Sequence, residues 1–559
     1  MSGHANWYLL VIAGVCLLAV TPFFFWGSPS GHDFEFHLFS WMDVLSQWRH
    51  GILYPRWAAM AHWGYGEARF VFYPPASWTL GAALGTLLPW KIVPGAYCWL
   101  VMTLAGGAMY RLGRRWLRPP DALFAAVFYA VNPYHLLIVY WRSAYAELLA
   151  AVLLPLLLLW IVRLKEDGFR ATLWLSLALA AAWLTNLPAA LMIHYSAAGL
   201  ALLVAVRERS LRPLVRTALA ALLAAVLTSF YLVPAIYEQR WINIGQVLSP
   251  GVRPQDNFLF TTLPDPDHNR FNLLVSFVAL AEIGVLAFAI WFSRQEGLEK
   301  REPSETQSAW LPLSAWGAAT VFLMLSASKL LWEHLPKFRF VQLPFRWLLC
   351  LNVPVALLLT MATSHALKYR WALRSLASVV LLAVIVTTAR RTQLPWWDMA
   401  ADIQEMTEAV SDGTGYEGTD EYAPAGADPY ELNKSLPRVS DEAGAAVAAK
   451  IIAWGAMEKR FLVRTDGAQN LTVRLFNYPA WEVTVNGRPV LTQTSDVTGL
   501  MVIPVASGEN DVQIHFSYTR DQSVGAAVSL ISLIVFGVTW IKTRSNGALE
   551  RSGRGNVLC

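Results

Sequence analysis

The sequence predicts a polytopic α-helical membrane protein of about twelve spans with a small β-sandwich-like domain near its C-terminus. Three observations carry this. Of 559 residues, 55% are hydrophobic and only 15% charged, against the ~25% charged residues of a soluble domain. Apolar runs of about 16–23 residues recur, each long enough for roughly 30 Å of hydrocarbon. Late in the chain, apolar and polar residues alternate instead, as half-buried strands require.

The expected spans are 7–26, 92–110, 121–139, 144–162, 171–187, 189–206, 214–235, 271–293, 310–327, 346–364, 372–389 and 523–541. The 26 Trp and 19 Tyr suit interfacial belts. Residues 7–26 lack a basic leader and a small-residue cleavage site before or after them, and read as a retained anchor. Lys and Arg accumulate in RLGRRWLRPP (111–120), RLKEDGFR (163–170), RERSLRPLVR (207–216), SRQEGLEKRE (293–302) and KYRWALR (368–374). Basic loops stay cytoplasmic. The intervening connections, 139–147, 185–188, 236–270 and 329–345, therefore face outward, and both termini are expected inside. The net charge of +5 is scattered over short loops, so nucleic acid is not an expected partner. Cys16, Cys98 and Cys350 lie in apolar runs and Cys559 is last, which is neither a disulfide framework nor a metal spacing.

YPPASWTLGAALGTLLPW (73–90) is apolar, but a crossing there breaks the alternation of sides around Arg111. With Gly81, Gly85 and Pro89 it is also a poor full-length helix. It is expected to be a helix that dips into or lies along the outer leaflet. The domain division that follows is 1–389 for the membrane domain, 390–522 for an extracytoplasmic domain, and 523–559 for the last span and a cytoplasmic tail. From Asp398 to Glu431 there are ten acidic residues and no Lys or Arg, a solvated and partly irregular lead-in. Strand-like alternation follows at 460–466, 470–478, 481–490, 498–505 and 510–519, with a hairpin turn at Asn486-Gly487.

Ionisable residues gather at the outward connections. SPSGHDFEFHLFSW places His32, Asp33, Glu35 and His37 just after the first span. In a helix, Asp33 and His37 share a face. HLFSWMDVLSQWRHG then reads as a surface helix, with Phe39, Met42 and Trp48 toward lipid and Arg49 and His50 toward headgroups. An acid/base or metal site is one reading of the stretch; an N-capping Asp33 among solvated neighbours is the other. Glu147 falls just inside an apolar run, where an ionised side chain costs about 2.5–3.5 kcal/mol. Its nearest partner is Arg142, so an ordinary Arg–Glu pair is the plain alternative. KFRFVQLPFRWL sets Lys337, Arg339 and Arg346 around Gln342, either a phosphate site or a snorkelling loop. LPDPDHNRFN, with Asp265, Asp267, His268 and Arg270, looks more like a turn than a metal loop. Glu282 sits deep in a span and needs a partner.

The chain resembles the GT-C-type integral membrane glycosyltransferases, which carry D-x-D or D-x-E after the first span. Asp33-Phe34-Glu35 stands at that place, and Tyr73-Pro74-Pro75 resembles the family's YPP. GHDFEFH, FYPP, YWRSAYAE and VQLPFRWL together resemble a bacterial group of membrane proteins labelled as related to 6-pyruvoyl-tetrahydropterin synthase. No zinc histidines of the soluble synthase are present. The resemblance covers most of 1–390 and extends to YPAWEVTVNGRPV in the β region. It implies a GT-C-like core in a bacterial inner membrane, with its catalytic face and β domain extracytoplasmic. It further implies inverting transfer of a sugar from a polyprenyl-phosphate donor to a glycan, lipid or protein. By the same resemblance Asp33, Glu35 and Glu147 are the catalytic carboxylates. Arg142, Arg346, Gln342, Arg339, His37 and Tyr73 are the residues then expected to bind the donor phosphate. A divalent metal, magnesium or manganese, on Asp33, Glu35 and His37 is left open. A transporter or flippase for a lipid-linked precursor, and a non-catalytic scaffold with a sugar-binding β domain, are the competing readings. The lack of an evident internal repeat weighs against transport.

Overall fold

A computed structural model describes residues 3–295, 305–364 and 369–555. The expected basic loops 293–302 and 368–374, and the tail with Cys559, lie partly or wholly outside the described residues. Among those described, nine helices are long and apolar enough to cross a membrane, rising to eleven if each of two bent pairs is one span. The pairs are Arg212–Leu227 with Ser229–Trp241, bent by 77°, and Ala309–Leu323 with Ser326–His334, bent by 91°. The expected span 92–110 falls outside that count. It is the 21-residue helix Val93–Gly113, about 30 Å long at 1.5 Å per residue, and its Gly, Tyr and Thr residues dilute its hydropathy. The expected twelve spans are thus nine to eleven by length and composition.

Pro344–Ser364 is the central span, 94% buried, and Arg520–Thr543 is peripheral at 11%. Proline breaks the bundle where chemistry gathers. Pro119–Ala130 ends, Asn132 caps a new turn by accepting the His135 backbone N–H at 2.9 Å, and Pro133–Leu137 runs into a π-helical turn, Ile138–Arg142. Ser143 follows with φ +50°, before the helix that begins at Tyr145.

The 73–90 segment contains the helix Pro75–Leu87, 13 residues long. That is about 20 Å, short of the ~30 Å core. Single cysteines replacing Leu53 and Lys91, both exposed, are therefore expected to react with an impermeant maleimide from the same side of sealed vesicles. Labelling from opposite sides rules this topology out.

Phe34–Arg49 corrects the expected surface helix. Phe39 and Met42, assigned to lipid, are buried along with Phe34, Leu38, Trp41 and Leu45. The helix is wedged among Pro75–Leu87, Val93–Gly113 and the segment that follows Arg370–Thr392: Phe39 stacks on Tyr416 at 4.3 Å, and Trp41 on Tyr97 at 4.8 Å. Gly81 makes the first packing possible, because a Cβ there would lie 2.0 Å from the Trp41 ring. Only Arg49 and His50 face outward as expected.

The acidic lead-in is more ordered than its composition suggests. It forms the helix Ala400–Ser411 and a strap that buries Tyr416 and Tyr422. Two antiparallel sheets follow. One orders Val439–Ser440, Gln469–Phe476, Leu500–Val505 and Gln493–Thr494; the other orders Ala449–Trp454, Glu458–Thr465, Gly508–Phe516, Trp481–Val485 and Arg488–Pro489. Inward residues such as Phe461, Val463, Leu471, Val473, Val512 and Ile514 alternate with exposed ones and fill the space between sheets. Asn486 and Gly487 both take positive φ, the two-residue hairpin expected from their sequence. The sandwich sits on the membrane domain through Trp57, which packs on Tyr478, Trp481 and Phe516. Tyr478, Thr519 and Gln522 all donate hydrogen bonds to buried Glu238.

Candidate functional site

The loop after the first span is clamped from two sides. Ser28 and Pro29 pair antiparallel with Asp398 and Trp397, and the Ser30 N–H donates to the Trp396 carbonyl at 2.7 Å. On the other side the Asp33 N–H donates to the Arg142 carbonyl at 2.9 Å, and the Gly31 N–H to Ser143 Oγ at 3.0 Å. Ser143 Oγ in turn donates to the Pro29 carbonyl at 2.9 Å. A Cβ on Gly31 would lie 2.5 Å from the Arg142 carbonyl carbon. Glycine is therefore required for Asp33 to dock on the π-turn that carries Arg142. Neither clamp is visible in any local motif.

Beneath Asp33 lies a charged cluster drawn from three spans. Glu147 accepts from Arg142 Nη1 at 2.6 Å, from Arg346 Nε at 3.1 Å and from the Tyr134 hydroxyl at 2.5 Å. All four residues are buried. Breaking one member of such a group leaves uncompensated charge in a low dielectric. Among the described residues no protein acceptor takes Arg142 Nε or Nη2, or Arg346 Nη2. Asp33 lies within electrostatic reach of both guanidiniums, of His37 and of Tyr73.

The site residues expected from sequence separate into those the fold gathers and those it does not. Asp33, His37, Tyr73, Arg142, Glu147 and Arg346 come together. Glu147, expected among the catalytic carboxylates, is committed to three donors and so holds the arginines in place. Gln342 is already engaged with the protein: its Oε1 accepts from Arg346 Nη1 at 2.9 Å and its Nε2 donates to the Val247 carbonyl at 2.7 Å. It keeps that post at a φ of +66°, a strained value for a non-glycine residue. Arg339 points elsewhere, lining a separate cleft with Arg253 and Lys329. Glu35 is exposed and leaves Asp33, since residues two apart diverge on a helix. Partial desolvation at the surface, then the carboxylates of Asp398 and Glu417, push its pKa up. Among the described residues no three His, Cys, Asp or Glu side chains gather as a metal site, so Asp33, Glu35 and His37 do not converge as a three-ligand set. The LPDPDH stretch is a helix start, with Asp265 Oδ1 accepting the Asp267 and His268 N–H groups.

His37 sits among Phe36, Trp41, Tyr73 and Tyr145. Burial holds its imidazole down to about 4, against the opposing pull of Asp33 and with a smaller push from Arg69. It is therefore neutral at pH 7 and cannot serve as a phosphate-binding cation. Burial and Asp33 raise the Tyr73 phenol well above its usual range, leaving it a neutral donor. The unfolded chain binds a proton on His37 between pH 6.5 and 4 and the folded chain does not. The stability this residue contributes is thus whole above pH 6.5 and lost as pH falls to 4, about 3 kcal/mol in all at 1.36 kcal/mol per pKa unit. His37→Gln is expected to lose less stability than wild type over that window in thermal melts. Parallel curves would contradict a buried neutral imidazole.

Several contributors escaped sequence reasoning. Tyr134 has no local signal beyond its place after Asn132-Pro133. Buried Glu67 accepts from Arg69 Nε at 2.5 Å and from the Thr419 N–H at 2.9 Å, and pairs with His62 Nε2 at 2.9 Å. Arg69 also donates to Ser40 Oγ at 2.8 Å, and its guanidinium lies over the Phe36 ring. This network ties the Asp33 helix to the strap at 416–422. The carboxylate of Glu282 has no hydrogen-bond partner among the described residues; Asn352 and the Tyr134 backbone are polar groups near it.

Fold and site together define a polytopic membrane protein whose bundle presents a docked carboxylate over paired arginines at the end capped by a β-sandwich. The chain belongs to the family of membrane proteins with a 6-pyruvoyl-tetrahydropterin synthase related domain, whose family model matches residues 70–394, more than half of it. That span holds Tyr73, Arg142, Glu147 and Arg346 but not Asp33. No curated protein matches the chain in sequence. Among solved structures it is similar to the mycobacterial arabinofuranosyltransferase AftD, at 16% identity and a TM-score of 0.41, over 72% of this chain and 28% of that one. It is also similar to the Archaeoglobus fulgidus oligosaccharyltransferase in its apo form, at 13% identity and 0.40, over 75% of this chain and 57% of that one. The same organism's AglB, solved with an inhibitory peptide and a dolichol-phosphate, gives 12% identity and 0.39, over 75% and 57%. The chain therefore spans about a quarter to somewhat over half of these proteins.

Proposed function

We propose that the protein is an inverting GT-C-type glycosyltransferase of a bacterial inner membrane, working at its extracytoplasmic face on a polyprenyl-phosphate-linked sugar. The observation that carries this reading is Glu147 holding Arg142 and Arg346 side by side beneath the docked Asp33 loop. A guanidinium offers five N–H donors in a fixed fork suited to phosphate. Glu147 takes one nitrogen of each, and other nitrogens of both have no protein acceptor among the described residues. In this reading Asp33 takes the proton from an acceptor hydroxyl of a glycan, lipid or protein. The freed oxygen attacks the anomeric carbon from the face opposite the phosphate. The anomeric C–O bond to phosphate breaks, and its electrons leave on polyprenyl phosphate, whose growing charge the two arginines stabilise. Tyr73 donates a neutral hydrogen bond beside them. Gln342 positions Arg346 and binds no ligand itself.

The test is reconstitution of the full chain in liposomes with synthetic polyprenyl-phosphate sugars, followed by mass spectrometry of acceptors. Transfer that disappears in Arg346→Ala through weakened donor binding supports the reading. Because Asp33, Glu35 and His37 do not converge, transfer is expected to survive EDTA. Trans-bilayer movement of the donor without any transfer would instead select the flippase reading.

A further inference from the structure

Arg339 and Arg346 are seven residues apart, yet they face different spaces. Arg346 belongs to the Glu147 cluster. Arg339 lines a cleft of about 330 Å³ between the 248–258 loop and the helix Lys329–His334. Arg253, Lys329 and Arg339 supply positive charge, Glu333 one carboxylate, and Phe258 and Trp332 a buried apolar floor. Arg253 is held by Asp256 at 2.8 Å and Lys329 by Glu333 at 3.7 Å, whereas Arg339 has no ion pair among the described residues. Three cations against two carboxylates leave one net positive charge.

A second observation concerns what surrounds the cleft. The span Ala309–Leu323 turns through 91° into the segment Ser326–His334, so that segment runs across the bundle end and not through it. Its Leu330 is 68% exposed, and Leu331 and neighbouring Val252 are each 39% exposed. A short helix with apolar residues outward and cations at its flank is the arrangement of an interfacial element, with chains against the leucines and headgroups against the cations. None of Arg142, Glu147 and Arg346 lines the cleft, and Gln342, which donates to the Val247 carbonyl at 2.7 Å, accepts from Arg346 on the other side.

We propose that this cleft is a headgroup site for an anionic phospholipid, separate from the Asp33 site. The single negative charge of a phosphodiester such as phosphatidylglycerol matches the cleft's net charge, with Arg339 as its primary partner and Lys329 beside it. The proposal does not depend on the transferase reading. It assigns to Arg339 a phosphate of the bulk bilayer in place of the donor's.

Native mass spectrometry of the detergent-purified full chain tests it, with phosphatidylglycerol, phosphatidylethanolamine and phosphatidylcholine as probes. One phosphatidylglycerol is expected to bind about tenfold more tightly than either zwitterionic lipid. The double variant Lys329→Gln with Arg339→Gln, at exposed positions that leave the core untouched, is expected to erase that preference. Arg346→Gln is expected to keep it. Equal binding of all three lipids overturns the proposal, as does an unchanged preference in the double variant. A preference lost in Arg346→Gln and kept in the double variant places the lipid in the Asp33 site and also overturns it.

Discussion

Asp33→Asn is expected to lower turnover of a verified substrate by about 10²–10⁴ while leaving donor binding nearly intact, because under the proposed mechanism it removes the general base and little else. The amide keeps the size of the side chain. The backbone contact that docks the loop, from the Asp33 N–H to the Arg142 carbonyl, is indifferent to the substitution. Nor does the Asp33 side chain cap the following helix, so the N-cap alternative predicts no structural loss either. The two roles therefore separate on kinetics alone. A large fall in kcat with KM for donor unchanged identifies a base. Unchanged turnover leaves Asp33 as a bystander and returns the search for a base to the remaining carboxylates of the rim, Glu35 first.

Glu147→Gln is expected to destabilise the protein by about 3–5 kcal/mol, the usual effect of removing one member of a buried ionic group. The amide retains the contact with Tyr134 but not the charge. Arg142 and Arg346 would then face each other as buried like charges with no carboxylate between them. Thermal melts in detergent should show a clear drop in Tm, partly restored by a phosphate-bearing ligand that takes the place of the missing anion. If Glu147 were instead a catalytic carboxylate, the variant would melt like wild type and lose only transfer. That outcome would overturn its assignment as the residue that holds the arginines.

Distance in the chain sorts what the sequence showed from what it hid. Glu147 was conspicuous because an acid at the rim of an apolar run needs a partner, and Arg142 lies five residues away. Its second partner, Arg346, is 199 residues further on and no local pattern links them. Asp33 and His37 were legible as one helical face. The sequence could not show that Glu35 turns toward Asp398 and Glu417, since both lie on a segment hundreds of residues downstream. The surface-helix expectation for 34–49 failed for a related reason. An amphipathic pattern reports that one face is apolar but not what covers it, and here Tyr416 from the strap covers what lipid was expected to cover.

By itself, then, the chain determined its membrane class, the positions of most spans, the shortness of the helix within 73–90 and the late strands with their Asn486-Gly487 turn. All of these follow from periodicity, length and turn chemistry within windows of a few to twenty residues. Only the tertiary structure decided that Arg346 joins Glu147 while Arg339 does not, that Gln342 braces Arg346, and that Gly31 lets Asp33 settle on the π-turn. Those outcomes depend on which buried donors must find acceptors once the spans are packed, and in a low-dielectric interior that requirement is met across the fold rather than along the chain.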